Sequence, residues 1–310
     1  MRRSSASLRV VLGVLAVAAT VLVGACGWPG SEPGRTPIGS SANGPITFVR
    51  SAGREADLVE IDPVTADERV RFAGRGTVST PAWSADGRRL AYAWRDPTAG
   101  GYRIRVADAD GSNDRPITPG DAIDASPSWS PSGDRLAFSS NREGPGFGVF
   151  VVEVDGSGPV RLVDGQDPAW SPTGEWIAFV RLVDEARDLF LVRPDGSGLR
   201  RLTVGPADET DPAWTPDGRS LVFASDRSGD HDLYRLDLDD LQRTRLTSGP
   251  GNDRSPAVSP DGRSVAFSRT LGNGADLWLT DDDGRERRLT TDPLYDVDPA
   301  WQPIRPSGSG

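Results

Sequence analysis

PAWTPDGRSLVFASDRSG, residues 212–229, is one copy of a phrase that recurs through the chain. Near-copies begin at Pro81 (PAWSADGRRLAYA), Pro127 (PSWSPSGDRLAFS), Pro168 (PAWSPTGEWIAFV) and Pro256 (PAVSPDGRSVAFS), with a truncated one, PAWQP, at Pro299. Successive starts lie 46, 41, 44, 44 and 43 residues apart. That period suits one four-stranded propeller blade and is too short for an independent domain. The repeats therefore predict a single all-β body.

Each Trp-bearing strand is followed by a β run: ITFVR (46–50), LAYAW (90–94), LAFSS (136–140), IAFVR (177–181), LVFAS (221–225) and VAFSR (265–269). A third strand follows, as in DLFLV at 188, DLYRL at 232 and DLWLT at 276, and then a tight Asp-Gly turn and an outer strand such as RRLTVG or TRLTSG. Asp-Gly supplies the positive φ angles a hairpin needs, so these acids read as turn formers. The first repeat begins at its second strand, Ile46, and the last ends on an orphan first strand, Pro299 to Pro303. Pairing the two closes the ring and removes exposed sheet edges. The expectation is a six-bladed β-propeller of four-stranded antiparallel blades over residues 45–304, with Trp83, Trp129, Trp170, Trp214 and Trp301 filling the space between neighbours.

Residues 1–25 stand apart. Arg2 and Arg3 precede an apolar run from Val10 to Val23, and Val23, Gly24 and Ala25 precede Cys26, the one cysteine in the chain. This is a secretion signal. Small residues before a cysteine match a bacterial lipobox, which assigns lipidation to Cys26. The other reading of this segment is an uncleaved helical anchor, for which the apolar stretch lies at the short end. Both place the body outside the cytoplasm, anchored to the cell membrane. Residues 26–44, rich in Gly, Pro and Ser, read as a flexible tether, and residues 305–310 as a frayed tail.

The formal charge is −10, and loss of residues 1–25 with their three arginines takes it to about −13. Nucleic acid is a poor partner for such a surface. A lone cysteine permits no intramolecular disulfide, and a closed ring has no need of a second copy, so a monomer is expected.

The phrases at 127–144 and 212–229, with DLY at 232 and RLT at 245, resemble the WD40-like (PD40) repeat of the TolB propeller family over residues 45–304. The resemblance implies an extracytoplasmic protein-binding propeller of the cell envelope, on which a peptidoglycan-associated lipoprotein and other envelope partners dock in TolB itself. TolB carries an α/β domain before its propeller; here the tether stands in that place.

Propellers usually bind at the mouth of the central channel, where loops lead into the innermost strands. Three residues before the repeated prolines stand Val78, Asp124, Gly165, Glu209, Asp253 and Asp296, and one before stand Thr80, Ser126, Asp167, Asp211, Ser255 and Asp298. Seven of these twelve positions are acidic. Crowded like charges need a cation, water or a basic partner. One reading gives Asp124, Glu209, Asp253 and Asp296, with Asp167, Asp211 and Asp298 behind them, to a basic peptide segment or to calcium, which oxygen-only ligands suit. The other has them capping loop amides. Asn141, Arg142, Asp226 and Arg227 in the adjoining hairpins read as local salt bridges.

Catalytic raw material is sparse. His231 is the one histidine and reads as a surface loop residue; no G-x-S-x-G elbow is present, and no cysteine or histidine cluster suits zinc. The expectation is a binding scaffold and not an enzyme. Two alternatives stay open: a sensor or accessory lipoprotein for a ligand or cell-wall fragment, and a carbohydrate-active hydrolase using mouth carboxylates.

Overall fold

The computed structural model describes residues 43–53, 55–72, 76–95, 100–155 and 157–304, and among them every regular element is a β-strand. The signal segment, Cys26, most of the tether and the tail lie outside the described residues. Strands β1 (Ile46–Ala52), β2 (Glu55–Ile61) and β3 (Glu68–Phe72) come first. Four separate four-stranded antiparallel sheets follow. They are β4 (Thr77–Trp83) to β7 (Arg115–Pro116), through β5 (Arg89–Arg95) and β6 (Arg103–Asp108); and β8 (Asp124–Trp129) to β11 (Val160–Asp164), through β9 (Arg135–Ser140) and β10 (Gly148–Glu153). The next are β12 (Gln166–Trp170) to β15 (Arg200–Arg201), through β13 (Ile177–Val183) and β14 (Ala186–Val192); and β16 (Glu209–Trp214) to β19 (Arg243–Arg245), through β17 (Ser220–Ser228) and β18 (Asp230–Asp237). The chain finishes with β20 (Asn252–Val258), β21 (Ser264–Leu271), β22 (Gly274–Asp281), β23 (Glu286–Arg288) and β24 (Tyr295–Trp301). These last five join β1, β2 and β3 in one eight-stranded sheet. Antiparallel pairs link its strands except at one parallel pair, Ala275 with Tyr295. This is a β-propeller of four-stranded antiparallel blades.

The chain ends meet as expected. β1 pairs antiparallel with β24, Ile46 opposite Trp301 and Arg50 opposite Asp296. The fold starts slightly before the expected boundary at residue 45. Asn43 and Gly44 are buried, and Asn43 Oδ1 accepts the Asp261 amide at 3.1 Å. A Cβ on Gly44 would sit 2.1 Å from the Gln302 carbonyl oxygen, so only glycine lets the two chain ends approach.

The core follows from the repeat. The third residue of each β run from ITFVR to VAFSR is a buried ring: Phe48, Tyr92, Phe138, Phe179, Phe223 and Phe267. Third-strand rings pack opposite, as in Phe138 with Phe150 at 5.8 Å and Phe179 with Phe190 at 5.6 Å between centroids. The tryptophans tie each repeat to the one before it. Trp129, Trp214 and Trp301 donate their indole N–H to the carbonyls of Ala82, Ala169 and Ala257, and Trp83 donates to Thr47 Oγ1. Trp170 departs from this pattern and reaches Gly174 O in its own corner.

The Asp-Leu and Arg-Leu-Thr motifs have complementary jobs. The hydroxyls of Thr118, Thr203, Thr247 and Thr290 accept the amides of Ile104, Leu189, Leu233 and Leu277 at 2.9 to 3.0 Å. These amides would otherwise be unpaired where the short outer strands stop. Arg201, Arg245 and Arg288 reach back to the buried Asp188, Asp232 and Asp276 at 2.5 to 2.7 Å. The outermost strand is thus pinned by side chains as much as by its ladder.

Candidate functional site: the mouth of the channel

Six innermost strands, β4, β8, β12, β16, β20 and β24, carry the repeated prolines, and each makes the same local break. Register slips around the proline in all six. The residue before the proline takes a left-handed conformation: Thr80, Ser126, Asp167, Asp211, Ser255 and Asp298 have φ between 48° and 56°. A bulge suits this place because proline has no N–H to give the ladder. Asp tolerates positive φ better than most residues, whereas β-branched Thr80 is strained there.

The bulge separates the two sets of candidate acids. The positions three before proline turn into their own sheets, where arginines take them. Asp124 receives Arg142 Nη2 on both oxygens at 2.9 and 2.7 Å. Glu209 is paired with Arg227. Asp253 is gripped bidentately by Arg269 at 2.6 and 2.7 Å, and Glu286 holds the far side of that guanidinium. Asp296 is gripped by Arg50 at 2.8 Å on each oxygen, with Glu68 and Asp292 completing the cluster. All four acids are buried.

Burial pushes the carboxyls of Glu209, Asp253 and Asp296 above the usual range, and the arginines pull against it. Hydrogen bonds to Asp296 and Glu68 hold the Arg50 guanidinium well above its ordinary value. Four of the seven carboxylates that the sequence offered to a basic partner or to calcium are therefore already occupied by arginines of the adjoining strands and hairpins. Arg142 and Arg227, expected as local salt bridges of the hairpins, are two of the four partners. The two strands without an acid show the rule by exception. Val78 stands opposite Trp94, and Gly165 leaves Arg181 to donate to the Asp164 carbonyl at 2.8 Å.

The positions one before proline form a ring of side chains that bridges adjacent innermost strands. The Thr80 amide donates to Asp298 Oδ2 at 3.3 Å, and the Ser126 amide to Thr80 Oγ1 at 3.1 Å. Ser126 Oγ donates to Asp167 at 2.8 Å and Ser255 Oγ to Asp298 at 2.9 Å, while the Ser255 amide reaches Asp211 at 3.4 Å. Five of the six neighbouring pairs are linked in this way. The sixth pair, Asp167 and Asp211, sets carboxylate against carboxylate. Burial first, and the charge of Asp211 second, push Asp167 up to about 6. Asp298 is also raised, mainly by burial.

Arg254 lies beside the acid pair, one residue before Ser255. It donates to Thr210 Oγ1 at 3.2 Å and stands 3.8 Å from Asp211. Its other nitrogen rests on His231, which comes from the β17–β18 hairpin and is half-buried. Sequence reasoning left His231 on the surface because the contact spans two sheets and no local motif announces it. Among the described residues no group of three or more His, Cys, Asp or Glu side chains is arranged to hold a metal ion.

Comparison with known proteins places this geometry. The family described as the TolB beta propeller domain (PD40) matches residues 29–167 and 163–305. Among solved structures, TolB from Acinetobacter baumannii superposes with a TM-score of 0.75 at 20% identity, over 87% of this chain and 69% of that one. A protein assigned as TolB in Agrobacterium tumefaciens gives 0.67 at 22% identity, over 85% and 92%. Hydrazine synthase of Kuenenia stuttgartiensis gives 0.70 at 14% identity, over 86% and 48%. These likenesses concern the fold. A comparison with curated protein sequences finds no match.

Proposed function

The chain belongs to the TolB β-propeller (PD40) family, and from that premise we propose that it is a six-bladed propeller lipoprotein that binds another protein in the bacterial cell envelope. The count of six rests on dividing the eight-stranded sheet at its one parallel pair, Ala275 with Tyr295, into β20–β23 and β24 with β1–β3. Each half then has the strand order of the other four sheets. Attachment to the membrane rests on the lipobox residues before Cys26, and the extracytoplasmic address on the same segment and on the likeness to TolB propellers.

The observation that carries the binding role is the family match along almost the whole propeller. The state of the mouth supports it. Four of its seven acids are locked by arginines, which favours a rigid docking face over a set of reactive carboxylates. By strand direction, the hairpins that supply Arg142 and Arg227 share that face with the loops leading into the innermost strands. Leu182 and Leu271, at equivalent hairpins, are exposed there. Apolar side chains on an otherwise polar rim suit a protein partner.

The test is crosslinking of the full-length protein in its native membranes, comparing wild type with Leu182→Asp and Leu271→Asp. An envelope protein recovered with wild type and lost in the variants supports docking on the mouth face. Recovery with all three moves the interface elsewhere, and a wild type that crosslinks to nothing counts against the scaffold reading.

A further inference from the structure

His231 and Arg254 meet in an arrangement that favours the neutral imidazole. Arg254 Nη2 lies 2.8 Å from His231 Nε2 and 3.3 Å from Nδ1. One donor this near to both ring nitrogens lies over the face of the imidazole and not in line with the Nε2 lone pair, a stack that a neutral ring accepts and a positively charged ring opposes. His231 Nδ1 lies 3.3 Å from Asn252 Oδ1, an oxygen whose orientation is fixed because it also accepts the His231 amide at 3.2 Å. The Asn252 contact selects the tautomer with the proton on Nδ1, and the Arg254 contact favours a neutral ring. Protonating the ring would place a second positive charge against the guanidinium.

We propose that His231 and Arg254 form a proton-controlled latch at the channel mouth: the neutral imidazole holds the guanidinium, and the protonated ring releases it toward the carboxylate of Asp211. The landing place is close by. Asp211 is 3.8 Å from Arg254 and belongs to the one unbridged pair in the axial ring. In its new position the guanidinium would pair with Asp211 while Asp167 beside it takes up its own proton at about 6, so the facing carboxylates no longer oppose each other.

The charges around the imidazole are compatible with this action. From β20 come Arg254 and Asn252, and the neighbouring Asp253 is committed to Arg269. From β16 comes Asp211, and from the loop before it Asp208, which Arg187 holds at 2.8 Å. From the histidine's own hairpin comes Asp226, whose Oδ1 accepts the Asp208 amide. Burial and Arg254 disfavour the imidazolium, while Asn252, Asp226 and Asp211 favour it; the balance lies below the ordinary histidine value. The latch is thus closed at neutral pH and opens on acidification.

Because His231 is the one histidine in the chain, its imidazole resonances need no assignment. The experiment is an NMR titration of labelled full-length protein, together with Arg254→Met and His231→Gln. Three results are expected. At neutral pH the wild-type ring carries its proton on Nδ1, and its titration lies below the ordinary value. In Arg254→Met the midpoint moves up by about one pH unit. The Arg254 side-chain N–H signal, identified by its loss in Arg254→Met, shifts in wild type with the histidine midpoint and does not do so in His231→Gln. An Nε2-protonated neutral ring, a midpoint unchanged by Arg254→Met, or an Arg254 signal indifferent to the titration would each overturn the proposal. The tautomer and midpoint are read on wild type alone, so a variant that fails to fold does not rescue it.

Discussion

At the scale of single residues, the charges of this protein divide into those that hold the fold and those that leave work undone. Arg269 and Asp253 are both buried and grip each other through two hydrogen bonds. Arg269→Met strands Asp253 and Glu286 together, and we expect a loss of about 3 to 5 kcal/mol in chemical denaturation. The exposed pair Arg161 and Asp164 is the control, since solvent screens it: Asp164→Asn is expected to change stability by less than about 1 kcal/mol. Asp167 behaves in the opposite sense to a bound carboxylate. Its proton is held more tightly in the fold than in the unfolded chain, with a value of about 6 against 3.8. Its contribution to stability is therefore full below 3.8 and is lost as pH rises through about 6. Asp167→Asn removes that loss, so the urea midpoint of the variant relative to wild type should climb across this window. A constant difference between the two curves would show that the carboxyl does not titrate there.

At the scale of strands, side chains replace ladder hydrogen bonds wherever the blade runs out of partners. The Thr247 hydroxyl receives the Leu233 amide inside the protein. Thr247→Val keeps the shape and strands the amide, which should cost about 1 to 3 kcal/mol; hydrogen exchange at Leu233 would rise with it. The strands themselves were legible because their residues alternate and their turns carry Asp-Gly. The fate of the mouth acids was not, for two physical reasons. Their arginine partners occupy two different registers, the end of the β run for Arg50 and Arg269 and two residues further for Arg142 and Arg227. Moreover, the bulge before each proline aims neighbouring acids in different directions, and a strict two-residue alternation hides that. One signal was present: all six pre-proline residues are Ser, Thr or Asp, short polar side chains that can reach the next strand.

At the scale of the whole molecule, the repeat period gave the propeller and the unmatched end strands gave the closure, because both are properties of spacing alone. What spacing does not carry is the contact between His231 and Arg254, which depends on two sheets meeting at a particular height. Removing residues 295–310 takes β24 away and leaves β1 with one partner. The truncated chain should lose its single sharp unfolding transition and associate through the uncovered edge, visible by scattering and thermal melting. The same closure also sets an order of events during synthesis. Arg50 finds Asp296 across 246 positions of chain, so the ring has no finished state until its final strand has emerged. A contact of such long range makes folding slow. If the chain is threaded through a membrane pore from its N-terminus, as the proposed extracytoplasmic address requires, it would stay open and pliable for the whole passage and snap shut only on the far side.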